Sequence, residues 1–471
     1  MTERYNRQTR GFAFGTTSPI QVPGLNLTGG LLFAGVNGQP DTAFKPDYEN
    51  WQPRFGVAYK LTDRRPIVFR GGIGRVFLPT SIDASAEAGS STPWGVTTTG
   101  TTSTAGFLPA ATLINPFPSG LIAAPGSSQG LATLLGTSVT FNNVARHTPE
   151  MWQYSGGFEY EVTPGLLLEA GYSGSDTRWL PVSKSLDFTS LTNLALGQPY
   201  LNTAVTNPFY GVLPSTTSLG SQTTVGRSQL LLPYPQFSGV TMINNSFGYS
   251  WYNSLQFRVE HRLKHGLFVQ AGYTLSKTLE AVSLLNAQDV NLLRQKTSFD
   301  RPQRFVTSVT YRLPVGPKSH FLNKGVVSHI VGGWDLSMTG VAQSGVPISL
   351  SNGSYMLTGS PAITTGQSYT HWFNTSSSIW VPLAAGSLRV IPGVSQNIRT
   401  PTSPQFNIGL AREFAIHENH KIQFRAFAYN ATNTPLFNGP TTDPTSSTFG
   451  AITMTQINLP RAIDLNFRYS F

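Results

Sequence analysis

Residues 252–276 read YNSLQFRVEHRLKHGLFVQAGYTLS, and apolar and polar side chains alternate along them through two arms joined by the turn Lys264-His265-Gly266. The apolar face carries Leu255, Phe257, Val259, Leu263, Leu267, Val269, Ala271, Tyr273 and Leu275, with His261 among them. A period of two over arms of about ten residues is the pattern of a tilted strand that crosses a bilayer. Arg258 and Glu260 on the opposite face suit a wet interior better than a packed core. The stretch therefore predicts a hairpin of a membrane β-barrel.

The same alternation recurs along the chain, and this matters because a single alternating hairpin occurs in any half-buried sheet. The pattern predicts eleven strands, near residues 54–61, 67–77, 151–161, 166–176, 252–263, 267–277, 303–313, 334–343, 405–413, 420–430 and 461–471. A slip of one residue in the strand at 252–263 would turn Arg258 towards lipid, at a cost of about 2–4 kcal/mol at the bilayer midplane. Only one facing is therefore tenable. Arg75 is an exception on the apolar register, and we place it at the membrane interface.

Composition agrees with a membrane barrel and excludes several other classes. Only 11% of the 471 residues are charged, against about 25% in soluble proteins. There are 46 glycines, aromatic residues make up 11% of the chain, and no apolar run is long enough for a membrane helix. The chain has no cysteine, which excludes disulfides and thiolate metal sites. The net charge of +10 is spread over single residues rather than a basic patch, so we expect no nucleic-acid partner.

The connections between the predicted strands alternate in length. The short ones are 62–66, 162–165, 264–266, 314–333 and 414–419, and the long ones are 78–150, 177–251, 278–302, 344–404 and 431–460. Outer-membrane barrels have short periplasmic turns and longer extracellular loops. The long connections are rich in Thr, Ser, Gly and Pro and also carry aromatic residues, which either contact a ligand or anchor the loops on one another. The candidates for ligand contact are Trp94, Tyr200, Tyr210, Tyr234, Phe237 and Tyr249.

Several segments of the chain resemble a known family. They are Asn50–Tyr59 (NWQPRFGVAY), Phe69–Gly74 (FRGGIG), Tyr252–Gln256 (YNSLQ), Tyr273–Lys277 (YTLSK), Asp300–Phe305 (DRPQRF), Gly333–Ser337 (GWDLS), Gln343–Pro347 (QSGVP), and Gln423–Phe427 (QFRAF) with Asn430 and Asn433. In this order they resemble the TonB-dependent-receptor-like outer-membrane proteins of the Oar type. No single segment is specific, but the ordered set spans nearly the whole chain. The resemblance implies a barrel in the outer membrane of a Gram-negative cell, in contact with its lipid.

The C-terminal strand ends in Phe471, with Tyr469 and Phe467 at the two preceding alternate positions. This arrangement is similar to the signal that the barrel-assembly machinery recognises in outer-membrane proteins. We therefore expect these three residues to act in assembly.

The beginning of the chain departs from the family. Full-length relatives carry an export signal, a small β domain, a plug that contacts TonB and a barrel of about 22 strands. Residues 1–7 show no apolar signal region, and no segment looks like a plug. We interpret the chain as a C-terminal piece that holds about 11–12 strands of the barrel. We interpret Glu3 to Phe14 as the extracellular end of a strand whose lower part is absent.

No catalytic or cofactor site is expected. His417-Glu418-Asn419-His420 places two His three residues apart in a predicted turn, which does not fit the zinc-protease helix. Gly71-Gly72-Ile73-Gly74 lies within a strand and opens no helix, so it predicts no dinucleotide site. Glu159, Glu161 and Glu169 lie on one hairpin and are better explained as charged lumen residues that face arginines. The sequence predicts no enzyme, no metal and no cofactor.

The resemblance implies a TonB-dependent transporter-like function. External loops would capture a substrate, TonB with ExbB and ExbD would rearrange a plug that this chain lacks, and the substrate would pass through the lumen. The sequence does not identify the substrate. The alternatives are a surface binding or adhesion barrel that transports nothing, a passive porin, and a soluble lectin-like β-sandwich.

Overall fold

Most of the chain forms β-strands. The computed structural model describes residues 9–42, 44–63, 66–78, 93–98, 103, 106, 111–118, 120–262, 266–317, 321–322, 324–350, 352–363, 365–417 and 420–471. The predicted turn residues Lys264 and His265 and the motif residues Glu418 and Asn419 lie outside these ranges.

The strands, in chain order, are β1 Thr9–Phe12, β2 Leu31–Phe33, β3 Arg54–Lys60, β4 Ile67–Phe77, β5 Ser138–Asn142, β6 Glu150–Thr163, β7 Leu166–Ser185, β8 Ala204–Thr206, β9 Thr224–Gly226, β10 Gly239–Arg262, β11 Leu267–Ala281, β12 Gln295–Lys296, β13 Gln303–Arg312, β14 Trp334–Gln343, β15 Pro347–Ser349, β16 Tyr355–Leu357, β17 Trp380–Pro382, β18 Val394–Arg399, β19 Gln405–His417, β20 His420–Tyr429 and β21 Ala462–Ser470.

The helices are short. They are α1 Leu191–Leu194, α2 Gln198–Leu201, α3 Ser218–Ser221, α4 Arg227–Leu230 and α5 Gly325–Val331, together with a 3₁₀ turn at Gly130–Ala132. None of the helices within the described residues has the length and hydropathy that a membrane span requires.

One large antiparallel sheet organises the protein. Its strands follow the order β21-β20-β19-β14-β13-β11-β10-β7-β6-β4-β3, and β5 and β12 pair at its side. Each of the eleven strands along this order lies at a position where the alternating pattern predicted a strand. The sheet is open, because among the described residues β3 and β21 pair on one side only. Both of these edge strands are exposed along their whole length.

Five strands are longer than the alternating pattern predicted. Strand β7 has 20 residues and β10 has 24, and β6, β11 and β19 also continue beyond their predicted ends. At about 3.3 Å per residue, a strand of 24 residues is about 80 Å long, roughly three times the height of an apolar band of about 25 Å. The sequence pattern predicted only the part of each strand in which apolar and polar side chains alternate. Beyond the apolar band the backbone hydrogen bonds continue, but the side chains no longer alternate.

Two faces with opposite chemistry result from the strand register. Across neighbouring strands, one row on the apolar face runs Tyr59, Phe69, Phe158, Ala170, Phe257, Tyr273, Phe305 and Ala342. The adjacent row on the polar face runs Arg70, Gly157, Gly171, Gln256, Thr274, Arg304 and Gln343. Many large apolar side chains of the first face are exposed, among them Phe158 and Phe257. A contiguous exposed apolar face is what a sheet presents to hydrocarbon.

Arg75, the exception on the apolar face, has a partner there. Its guanidinium forms an ion pair with Glu150, with 2.7 Å from Nε to the carboxylate, and Glu150 is buried. Both residues lie near the end of the sheet that carries the long connections, which we call the long-loop end. A paired arginine at this height avoids the cost of an isolated charge in lipid.

The described part of the predicted strand Glu3 to Phe14 does not belong to the wall of the barrel. Residues 3–8 lie outside the described ranges, and Thr9–Phe12 pairs with Leu31–Phe33 in a two-stranded sheet apart from the main one. All four residues of this strand are buried. Its apolar residues pack into a core of the long connections instead of extending the barrel wall.

Substitutions at two adjacent positions of β10 test the facing of the sheet. We expect Phe257→Arg to lower the free energy of unfolding in lipid vesicles by about 2–4 kcal/mol, because it puts a charge on the lipid face. The matched control, Gln256→Arg, adds the same charge to the polar face and should change stability by less than about 0.5 kcal/mol. The folded fraction can be followed by the electrophoretic mobility of unheated samples against urea. Equal losses at the two positions would contradict the assigned faces.

Candidate functional site

The polar face of the main sheet carries a connected set of ion pairs. The Arg258 guanidinium lies 3.1 Å from a carboxylate oxygen of Glu169 and 2.9 Å from one of Glu260. Glu260 also pairs with Arg262 at 2.9 Å. A further pair joins Arg70 to Glu159 at 2.8 Å. The structure thus places Glu159 and Glu169, which lie directly opposite each other, against separate arginines, as the sequence analysis expected of lumen residues.

Small side chains line the same face beside these charges. One row across five strands consists of Gly72, Ser155, Ser173, Ser254 and Ser276. The Ser254 hydroxyl donates to the backbone oxygen of Ser173 at 3.1 Å. A wall of small polar groups next to charges of both signs suits contact with water rather than with a packed apolar core.

At the long-loop end the connections fold into two compact cores. The first loop core consists of buried apolar residues from three parts of the chain: Phe12, Val22, Leu27, Leu31, Phe33, Leu135, Val139, Phe141, Phe209, Leu213, Leu219, Phe237 and Val240. Its centre is aromatic, with the Phe12 ring stacked on Phe141 at 5.3 Å. The buried Gln236 side chain donates to the Thr28 carbonyl at 2.8 Å and so joins two segments 208 residues apart.

The second loop core consists of Ile348, Leu350, Phe373, Trp380, Ile391 and Ile398. The Trp380 indole donates to the Asn374 carbonyl at 2.7 Å. The Arg389 guanidinium donates to the carbonyls of Ile391 and Leu350, and burial lowers its pKa. Because its donors are satisfied by backbone oxygens, this arginine fixes the loop rather than offering a free charge.

Hydrogen bonds tie the long connections to one another. Asn286 exchanges two hydrogen bonds with the backbone of Arg389, at 2.9 and 3.0 Å. At the root of these loops the buried Asp300 accepts from the amide of Thr278 at 2.7 Å and forms an ion pair with Arg399. Asp300 belongs to one of the segments that resemble the family, but its role in holding the loops together was not predicted. The long-loop end is therefore a built surface with defined geometry.

The structure separates the six aromatic candidates for ligand contact. Tyr200 and Tyr210 are 44% and 54% exposed on the surface of the long-loop end, and the Arg227 guanidinium lies 4.0 Å above the Tyr200 ring. Tyr249 packs edge-on against Trp251, with ring centroids 4.7 Å apart. These exposed or half-buried rings remain candidates.

The other three candidates pack in the first loop core. Phe237 is fully buried, and Tyr234 and Trp94 pack against the core, with rings at 4.9 Å from Phe12 and 5.7 Å from Phe33 respectively. A fully buried ring cannot contact a dissolved ligand unless the core opens. For Phe237 the structure therefore favours the alternative in which loop aromatics anchor the loops.

The proposed assembly residues Phe467, Tyr469 and Phe471 lie along the exposed last strand and its end. The Tyr469 hydroxyl lies 2.6 Å from Nδ1 of His420. No group of three or more His, Cys, Asp or Glu residues that could hold a metal ion occurs among the described residues. The role of the C-terminal aromatics in assembly stays a prediction.

A family model described as "Outer membrane beta barrel domain" matches residues 1–464 of the chain. The chain belongs to this family. Its location is accordingly the outer membrane, with the short turns on the periplasmic side and the long-loop end outside the cell. None of the curated proteins is similar enough to match the chain.

The protein is also similar to solved outer-membrane receptors, at low identity. FpvA from P. aeruginosa, bound to heterologous pyoverdines, shares 12% identity over 89% of this chain and 33% of its own, with a TM-score of 0.35. The outer membrane transporter YddB from Escherichia coli shares 10% identity over 86% and 38%, with a TM-score of 0.38. The siderophore receptor PirA from Acinetobacter baumannii shares 10% over 90% and 41%, at 0.38. The chain thus spans between a third and about two fifths of the length of these proteins.

Asp187 makes the stability of the first loop core depend on pH. Burial raises the pKa of this carboxyl to about 6, while one oxygen accepts from the Tyr234 amide at 3.0 Å. Because ionisation is disfavoured in the folded state, the penalty is absent below about pH 4, grows between pH 4 and 6 and is complete above pH 6. We expect the core to lose about 1–2 kcal/mol between pH 4 and 7, after allowance for the partial exposure of the group.

Hydrogen exchange of residues 130–142, corrected for intrinsic rates, measures this effect. The wild-type segment should be better protected at pH 5 than at pH 7.5, and Asp187→Asn should remove the difference because the amide cannot ionise. Asp176→Asn, on an exposed ion pair with Arg178, is the control and should keep the wild-type dependence. Equal wild-type protection at both pH values would refute the assignment.

Proposed function

We propose that this outer-membrane barrel takes part in the import of a substrate that it captures with its external loops, as a TonB-dependent transporter does. The observation that carries the proposal is that the long connections form two packed cores above a polar, charged wall. A passive porin needs only the wall. Packed loops that are tied together by Asn286 and by the Asp300–Arg399 pair hold a fixed surface at the mouth.

Pre-organised loops favour capture of a specific ligand, because less conformational entropy is lost on binding. In this proposal the exposed rings of Tyr200 and Tyr210 contact the substrate, and the wall with Arg258 and Arg70 forms part of its path. Coupling to the proton-motive force would come from TonB, ExbB and ExbD through a plug domain.

A surface-binding barrel without transport is the second candidate. The apolar side chains Leu113 and Ile114 are fully exposed in the connection between β4 and β6. Exposed apolar groups on a loop favour contact with a protein or another surface. The same packed loop cores would serve such a barrel equally well.

Uptake measurements in Gram-negative cells that express the protein would separate the candidates. Compounds in the medium are quantified by mass spectrometry with and without a protonophore. An importer depletes its substrate only while the proton-motive force is intact. A binding barrel retains ligand at the cell surface regardless of the protonophore, and a porin equilibrates solutes regardless of it.

A double substitution tests whether Tyr200 and Tyr210 contact the substrate. We expect Tyr200→Ala with Tyr210→Ala to weaken the apparent substrate affinity by on the order of tenfold, as loss of exposed aromatic contacts commonly does. Phe414→Ala removes an exposed aromatic ring near the short-turn end and serves as the control. Equal affinity of the double variant and the wild type would exclude these two rings from the capture surface.

A further inference from the structure

A small pocket at the long-loop end lies between two segments that lead into the wall. One segment, Thr42 with residues 44–47, precedes β3, and the other, residues 146–148, precedes β6. The pocket has a volume of about 210 Å³. Around Arg146 it is lined by Thr42, Phe44, Lys45, Asp47, His147 and Thr148. It lies outside both loop cores and apart from the ion pairs of the polar wall.

Arg146 is the unusual member of this pocket. The side chain is only 9% exposed, and its guanidinium carbon lies 3.6 Å above the centre of the Phe44 ring. Among the described residues, the guanidinium makes no hydrogen bond or ion pair with an oxygen. Its five N–H donors are therefore unused by this part of the chain, and burial lowers the pKa of the group. Burying a charge without a partner is costly, so such a charge calls for a ligand.

One other buried arginine and two half-buried ones show the contrast. Arg389 donates to backbone carbonyls of its own loop, and Arg399 pairs with Asp300. Arg10, which is as buried as Arg146, donates to the backbone and the side chain of Thr42 at the edge of the same pocket. These three guanidinium groups are bound by oxygens of the chain, whereas that of Arg146 faces the pocket.

The walls of the pocket are already fixed by hydrogen bonds. Both carboxylate oxygens of Asp47 accept from backbone amides, of Glu49 at 3.2 Å and of Thr148 at 3.0 Å. The Thr148 amide is the main reason why the pKa of Asp47 is lowered. His147 is held by Ser246 through its amide and carbonyl, at 2.8 and 3.1 Å, and its ring packs 4.8 Å from Trp179. The site is pre-organised rather than formed by the ligand.

Charge and shape indicate the ligand class. Arg146 and Lys45 contribute two positive charges against the single negative charge of Asp47, whose oxygens are already engaged by amides. The stacked face of the guanidinium is covered by Phe44, so its N–H edge is the part that can bind. That edge matches two oxygens of a carboxylate or phosphate. The volume accommodates one such group and a few further atoms, and not a whole large ligand.

We propose that this pocket binds an oxyanion, the carboxylate or phosphate group of a molecule that arrives from outside the cell. Arg146 provides the bidentate contact, and Lys45 and the hydroxyls of Thr42 and Thr148 complete the cage. The site goes beyond import, since anion binding at the rim requires neither a plug nor energy coupling. A failure of the uptake experiments would leave it intact.

Phosphate binding to the full chain, folded in detergent and free of phosphate buffer, tests the proposal. The broadening of the ³¹P resonance of inorganic phosphate on titration with protein should be saturable and should be reversed by citrate. We expect Arg146→Gln to weaken binding at least tenfold and Arg146→Lys to weaken it less. The control is Arg178→Gln, which removes an exposed arginine of the same rim that is already paired with Asp176. Wild-type broadening in Arg146→Gln, or an equal loss in Arg178→Gln, would overturn the site.

Lys45→Gln keeps the proposal testable if Arg146 variants do not fold, because Lys45 is exposed at the pocket. We expect it to weaken phosphate binding about threefold, and no change would count against the proposed site.

A second experiment identifies the source of the anion. In vesicles of phosphatidylglycerol, unchanged binding of inorganic phosphate supports a soluble ligand, whereas loss of binding relative to phosphatidylcholine vesicles supports a lipid headgroup in the site.

Discussion

The structure depends on the requirement that a backbone in hydrocarbon must satisfy its own hydrogen bonds while the side chains facing lipid stay apolar. The main sheet meets it through antiparallel pairing of neighbouring strands and through a register that keeps Tyr59, Phe158 and Phe257 in one row. The same register brings Glu159, Glu169 and Arg258 together on the other face. Ion pairs on the wall are thus a consequence of the apolar row, because a strand cannot turn one face without turning the other.

A different physical principle holds the long-loop end together. Its two cores are built as in a water-soluble protein, with aromatic rings such as Phe141 and Phe373 inside and polar groups outside. The surroundings therefore differ along a single strand. Val240 of β10 is buried in the first loop core, whereas Phe257 of the same strand is exposed on the apolar face. The rim where these two regimes meet holds Arg75, Arg146 and Asp300, and the proposed anion pocket lies there.

The sequence predicted the wall because strand alternation is a local signal. The eleven strands of the sheet needed only the period of two and the connection lengths. The loop cores rest on contacts between distant segments, such as Phe12 with Phe141, which no local pattern shows. For the same reason the sequence could not distinguish exposed Tyr210 from buried Phe237, or show that Arg146 in a loop is buried. The turn after β20 is a case in which the residue type itself was informative. Asn430 and Asn433 adopt left-handed φ values of 46° and 50°, a conformation that asparagine accepts more readily than most residues.

The irregular part of β10 has a consequence for how such proteins diversify. Its ladder with β7 shifts register between Met242 and Asn245 and twice more before Ser250, and Asn244 adopts a left-handed φ of 57°. Bulges absorb extra residues locally. An added or deleted residue there can be taken up before the regular ladder begins at Ser250, so the alternation below it keeps its facing. The long-loop end can therefore change length during evolution, while the wall keeps its apolar side chains on the lipid face.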